Sequence, residues 1–276
     1  QAFVLQLKEI QTQVEAQKII HPKDFFKFLF NLNIHSFLLS ALDCSYWDLF
    51  GKLENRSFIE LNYLPAENLI ESSITVSAGE IGHQIEKINK SKWNKFKVKC
   101  KGLNKDHVEK LLQLSQNIAL DSNASFTDED CIWLQENVAV EKFSYLEQPR
   151  PIDNYNILKK ESFANWMADE DCQNIDSLEE LIPYYKSINI KLMKCGGLTP
   201  ALEMIKKARE LDYKIMIGCM TESSVGISAG CVLTGLVDFV DLDGANLIAN
   251  DYATGSFVEN GKIILSSKPG LGIWLK

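Results

Sequence analysis

Apolar, β-rich runs recur along this chain from Ser73 onward, and seven of them close at Lys99, Asp121, Glu147, Asp169, Lys191, Gly218 and Asp241. The separations are 22, 26, 22, 22, 27 and 23 residues. Each step is the length of one strand, one helix and their connections, so the repeat restricts the fold to linked βα units with a parallel sheet. The runs are Ser73–Val76, Phe96–Lys99, Asn117–Leu120, Phe143–Leu146, Trp166–Ala168, Ile188–Leu192, Tyr213–Ile217 and Phe239–Val240. Helical patterns lie between them, as at Asp106–Gln116, Ser177–Tyr185 and Pro200–Leu211. Eight strands with polar groups at their C-terminal ends predict an α/β fold, a (β/α)7β TIM-like barrel whose chemistry sits on that rim. A doubly wound open sheet is the alternative, and it would concentrate chemistry at one switch point.

The first 62 residues have a different texture. Phe3-Val4, Leu7 and Ile10 recur at helical spacing, Pro22 opens a second helix through Phe25, Phe28 and Leu29, and a third runs from Ser36 to Gly51. Arg56–Pro65 reads as a connector. The expected division is a partial, mostly helical capping domain at 1–65, a catalytic barrel at 66–265, and a tail at 266–276 that returns to the cap. The chain opens on Gln1 without a leader pattern, and a cap of about 60 residues is small, so the chain is expected to begin inside a longer protein.

Charge narrows the function. Lys and Arg total 29 against 37 Asp and Glu, a net −8, and only Arg56, Arg150 and Arg209 are arginines. That surface suits neither a nucleic acid nor an anionic membrane. The most apolar stretch, Phe25–Leu39, is broken by Lys27, Asn31, Asn33 and His35, so no membrane span is expected. Seven scattered cysteines without a C-x-x-C predict free thiols and a cytoplasmic protein. The four histidines fall at no predicted strand end and are expected to be structural.

Asp121, Glu147 and Asp169 end three successive strands. Adjacent strands lie about 4.8 Å apart, so the three carboxylates would crowd and repel. Each acid taken alone reads as a cap for the helix that follows it; three in a row read as ligands for a divalent cation, with hard oxygens favouring Mg²⁺. Lys97 and Lys99 share one face of their strand, and Lys191 ends a strand almost across the barrel. Two lysines facing each other over a cation could move a proton between the two faces of a carbon, each lowered toward neutral by a cationic neighbour. Lys194, with Gly196-Gly197 behind it, is a weaker signal of a tight loop.

These motifs resemble the enolase superfamily in its muconate-cycloisomerase-like branch. Lys97-Val-Lys99 is similar to that branch's K-x-K, Asp121-Ser-Asn123 to D-x-N, Glu147-Gln-Pro149 to E-Q-P and Asp169-Glu170 to D-E. The segment Asn189–Leu198 resembles the strand bearing the second lysine, which would make Lys191 catalytic and Lys194 its support. Ser40–Leu49 resembles the cap-domain helix, and Asp241-Leu-Asp243 the D-x-D of dipeptide epimerases of the L-Ala-D/L-Glu type.

The resemblance implies a Mg²⁺-dependent isomerase that epimerises dipeptides by two-lysine 1,1-proton transfer through an enediolate. Lys99 and Lys191 would be catalytic, and Asp121, Glu147 and Asp169 would hold the metal. Asp241, Asp243, Lys97 and Glu222 would bind substrate, while Asn123, Glu170 and Lys194 would orient those groups. Lys97 would also depress the pKa of Lys99. The rivals are a sister reaction, such as that of o-succinylbenzoate synthase or a cycloisomerase, and a barrel that binds without catalysis. A small-molecule partner is expected, with self-association left open.

Overall fold

The computed structural model describes residues 2–276; Gln1 lies outside the described residues. The chain opens with helices α1 (Ala2–Glu15), α2 (Pro22–Phe30) and α3 (Ser36–Glu54). Two of the expected structural histidines supply the helix starts. His21 and His35 each turn Nδ1 onto a backbone N–H two residues on, that of Lys23 and that of Phe37, meeting donors a helix cannot satisfy itself. The expected connector instead holds a short helix, α4 (Phe58–Asn62). Ser57 and Glu60 form a reciprocal capping box there, and Phe58 is fully buried, edge-on to Trp47 with ring centroids 4.9 Å apart.

Eight strands follow: β1 (Ile74–Val76), β2 (Lys95–Lys99), β3 (Asn117–Asp121), β4 (Leu146–Glu147), β5 (Trp166–Ala168), β6 (Ser187–Lys191), β7 (Lys214–Gly218) and β8 (Phe239–Asp241). Their order in the sheet is their order in the chain, every pair is parallel, and a parallel bridge from Ser72 to Val240 closes the ring. The fold is the expected (β/α)7β barrel with a helical N-terminal cap. Both faces of the strands are covered, so β6 is buried along its whole length and β7 everywhere but Lys214. The Phe143–Leu146 run pairs only at its end. Phe143 closes the 3₁₀ turn Val138–Lys142 through its N–H to Val140, and the strand proper begins at Leu146.

Helices α5 (Ile81–Lys90), α6 (Lys105–Leu112), α7 (Asp128–Glu136), α8 (Ser177–Leu181), α9 (Leu192–Cys195), α10 (Leu198–Glu210) and α11 (Ser224–Cys231) fill six of the seven connections, α9 and α10 sharing that between β6 and β7, while residues 148–165 between β4 and β5 form turns without a helix. Among the described residues no helix is long and apolar enough to cross a membrane. Seven free cysteines are present, in agreement with the sequence.

Past the barrel lie strands β9 (Ala253–Thr254), β10 (Phe257–Glu259), β11 (Lys262–Ile264) and β12 (Trp274–Leu275). β10 and β11 form a hairpin over Asn260-Gly261, both at positive φ, the pair a tight hairpin turn favours. The tail then runs against α3. Leu271 N–H donates to Asp48 Oδ1 at 2.8 Å, and Lys52 Nζ donates to the Ile273 carbonyl at 2.8 Å. Backbones cross where two glycines meet: a Cβ on Gly51 would stand 2.5 Å from Gly270 Cα and 2.7 Å from the Arg56 carbonyl oxygen. Gly51→Ala is therefore expected to destabilise the chain by about 2 kcal/mol, lowering Tm by about 6 °C in a thermal melt; an unchanged Tm would show the crossing is loose.

Candidate active site

The register of the sheet decides which strand ends meet. Lys99 on β2 pairs with Asp121 on β3, and Asp121 pairs with Glu147 on β4. Asp169 stands two residues beyond Met167, the partner of Glu147, so its carboxylate enters from a slightly higher level. All three acids are buried.

Lys97 occupies the centre. It is 4% exposed, and its Nζ lies 3.7 Å from Asp121 Oδ2 and 3.5 Å from Glu147 Oε2, with a short hydrogen bond to Asp241 Oδ2. Burial alone would lower its pKa, but Asp241, Glu147 and Asp121 hold it well above the ordinary lysine value. Ser73 Oγ donates to the other oxygen of Asp241. The D-x-D pair is thus already partnered within the barrel: Asp241 by Lys97, and Asp243 by the Thr75 N–H at 2.7 Å. Asp241 thus meets a buried counter-charge where β1 and β8 close the ring and bring Lys97 to it.

The other lysines stand on either side. Lys99 Nζ lies 3.2 Å from Asp121 Oδ2 and donates to Asn123 Oδ1 at 2.8 Å. Opposite, Asp169 receives Lys191 on Oδ2 at 2.6 Å and Lys194 on Oδ1 at 2.7 Å. Burial would raise the Asp169 pKa, but Lys194 and Lys191 hold it far below the usual carboxylate range. The same pairing overturns the expectation of a depressed Lys191. Burial would lower it, yet Asp169 and Glu147 raise it above the ordinary value, so Lys191 as placed is a charged ammonium.

Glu147 is the odd member. Asn189 Nδ2 donates to Oε1 at 2.8 Å, while Oε2 is buried with no hydrogen-bond partner. Burial pushes its carboxyl up to about 8 against the pull of Lys97. Glu170 has a buried, unpartnered Oε2 as well, and burial and Asp169 raise it. Glu222 accepts the Met220 N–H at 2.8 Å, and burial raises it. It borders a cavity of about 770 Å³ together with Leu192 and Met193. Asp243 is raised by burial and by Asp241.

Seven rim acids (Asp121, Glu147, Asp169, Glu170, Glu222, Asp241 and Asp243) therefore face four lysines (Lys97, Lys99, Lys191 and Lys194). Among the described residues no three acidic, histidine or cysteine side chains close around one point as they lie. Asp121, Glu147, Asp169 and Asp241 lie against the lysines instead. The donor set still fits a hard divalent cation: three carboxylates from consecutive strands, one with an orphaned buried oxygen.

Two polar residues in the sequence motifs went without a role and have one here. Gln148, buried at φ +35°, accepts the N–H groups of Asp169 and Asp171 on Oε1, at 3.0 and 3.3 Å. Asn189 holds Glu147, and its place two residues before Lys191, on the same strand face, was the available signal.

Known proteins carry the same arrangement of chain. A family profile described as enolase C-terminal domain-like matches residues 80–276. The chain belongs to the enolase C-terminal domain-like family. The resemblance to the enolase superfamily drawn from the motifs is borne out. The L-Ala-D/L-amino acid epimerase of Maribacter sp. is 31% identical over 281 residues, covering 100% of this chain and 83% of that protein. Two solved structures share the fold. The dipeptide epimerase from Methylococcus capsulatus complexed with Mg ion has a TM-score of 0.81 at 24% identity, over 92% of this chain and 79% of that one. The muconate lactonizing enzyme from Pseudomonas putida has a TM-score of 0.84 at 19% identity, over 97% of this chain and 82% of that one.

In this family member, Lys97 is the electrostatic keystone. Lys97→Met is expected to cost about 3–5 kcal/mol, because it strands buried carboxylates without a cation. Adding Asp241→Asn should cost less than the two single losses added together, by about 1 kcal/mol or more in urea unfolding. Strict additivity would show that the pair does not interact.

Proposed function

We propose that this chain is a Mg²⁺-dependent isomerase that epimerises dipeptides by two-base proton transfer. The observation that carries the reading is the placement of Lys99 and Lys191 on opposite sides of the Asp121, Glu147 and Asp169 group. Relatives named as L-Ala-D/L-amino acid epimerases support the substrate class. The proposed division is a cap up to residue 65, a barrel over 66–265 and a tail from 266, supported by the tail's hydrogen bonds to α3.

Asp121, Glu147 and Asp169 would hold Mg²⁺. When bound, the ion supplies a Lewis acid for the negative charge that develops on the substrate carboxylate as its α-proton leaves. The remaining work falls to the chain. Lys99 and Lys191 would stand on the two faces of the α-carbon, one removing a proton and the other returning one to the opposite face. A base must be neutral, and Lys191 is held charged by Asp169. Engagement of Asp169 as a ligand would loosen that hold, while Lys97 nearby lowers the Lys191 pKa by repulsion.

Asn123 would orient Lys99, to which it is bonded, and Lys194 would steady Asp169. Glu170 would add a further negative group beside Asp169. Asp241 and Asp243 would receive the substrate's terminal ammonium, with Asp241 oriented by Lys97. Glu222 would shape the pocket beside Lys191.

In a panel of L-Ala-L-Xaa dipeptides followed by NMR, the chain is expected to form the L-Ala-D-Xaa epimers with Mg²⁺, to stop when EDTA removes the ion, and to resume on its return. Lys191→Ala should lower kcat by about 10²–10⁴. Full turnover by that variant would defeat the two-base scheme. Asp243→Asn should raise KM for dipeptides about tenfold or more. If KM stays unchanged, the ammonium does not sit there, and a sister reaction on a substrate without one is favoured.

A further inference from the structure

Helix α10 starts without a cap of its own. Its N-cap position is Gly197, which has no side chain to accept the orphan N–H groups of the first turn. The missing acceptor comes from the cap domain. Asp43 on α3 accepts the Thr199 N–H on Oδ2 at 2.9 Å and the Thr199 hydroxyl on Oδ1 at 2.7 Å. Trp47, one turn further along α3, donates from Nε1 to the same hydroxyl at 2.8 Å. Asp43, Trp47 and Thr199 are all buried, at 1, 1 and 3% exposure.

The turn itself is shaped around that carboxylate. Gly197 sits at φ +124°, and a Cβ there would overlap the Asp43 side chain. Gly196 sits at φ +100° against Leu39 of the same cap helix. Asp43 has no lysine or arginine partner among the described residues, and burial pushes its carboxyl up to about 6. A serine or asparagine would cap the helix without burying a charge.

What this clamp holds is the segment between Lys191 and α10. That segment contains Lys194, which donates to Asp169 Oδ1 at 2.7 Å and to the Asn189 carbonyl at 3.2 Å, and it follows directly on Lys191. Lys99, by contrast, bonds to Asp121 and Asn123, at the end of β3. The cap thus grips one side of the proposed proton relay.

We propose that Asp43 is a positioning residue for Lys191: through Thr199 and the Gly196-Gly197 turn it fixes the 192–197 segment, and with it Lys191 and Lys194, against Asp169. The proposal rests on the two-base reading above, and it assigns to a cap-domain acid a role in proton transfer on one face only.

Solvent exchange reads the two faces separately. The L-Ala-L-Xaa and L-Ala-D-Xaa forms of the fastest substrate in the panel are incubated in D₂O, and loss of each α-proton is followed by NMR. The Lys191→Ala variant identifies the epimer that depends on Lys191. Asp43→Ala is expected to slow exchange of that epimer about a hundredfold, the scale of an ångström-level misplacement. The Lys99-dependent epimer should stay within about threefold of the unmodified chain. Asp43→Asn, which keeps the shape and an acceptor oxygen for the Thr199 N–H, should restore most of the loss; it serves as the test if Asp43→Ala does not fold, with a smaller loss on the same face.

Equal loss on both faces, as from a smaller folded fraction, would overturn the proposal, and so would no loss on either. Failure of the unmodified chain to exchange either epimer would overturn the epimerase reading and this proposal with it.

Discussion

A single buried ammonium sets the terms for this barrel. Lys97 sits out of water among Asp121, Glu147 and Asp241. Moving any of those groups out of water unpaired costs several kcal/mol. Because the partners come from β3, β4 and β8, the ion cluster ties together strands far apart in the chain, across the ring that the bridge at Ser72 closes. The same cluster keeps three acids ready at the strand ends. Repulsion that would otherwise scatter them is offset by the lysines set among them.

That balance also accounts for the state in which the catalytic candidates are found. Asp169, gripped by two lysines, stays ionised, while Glu147, with one amide donor and a second oxygen that lacks a hydrogen bond, is pushed toward neutrality by burial. Two carboxylates on neighbouring strands are thus driven in opposite directions by their surroundings. Lys191 is charged for the same reason that Asp169 is. A site arranged this way holds its charges in internal pairs, which in the proposed function a cation and a zwitterionic substrate would replace.

Much of this was legible in the chain. Polar residues closing apolar runs at near-regular intervals marked the strands, and three acids in succession marked the rim. Gln148 and Asn189 were within reach of the same reasoning, one inside the E-Q-P motif and the other on the face of Lys191. Other features were not legible, for definite reasons. The Lys97–Asp241 pair spans 144 residues and exists only once the ring closes. The clamp from Asp43 to Thr199 spans 156 residues and joins two differently patterned parts of the chain. Helix α4 rests on a local capping box, Ser57 with Glu60, that a connector reading passed over. The Lys191 pKa depends on the distance to Asp169, which spacing along the sequence cannot supply.

In the proposed mechanism two lysines on opposite faces, and not one, handle the proton. A dipeptide deuterated at the α-carbon, turned over briefly in ordinary water, tests it. If one lysine abstracts and the other returns, the first epimer formed carries hydrogen from solvent at that carbon. Deuterium carried over from substrate into the product epimer would mean that a single base serves both faces, and the two-lysine mechanism would be wrong.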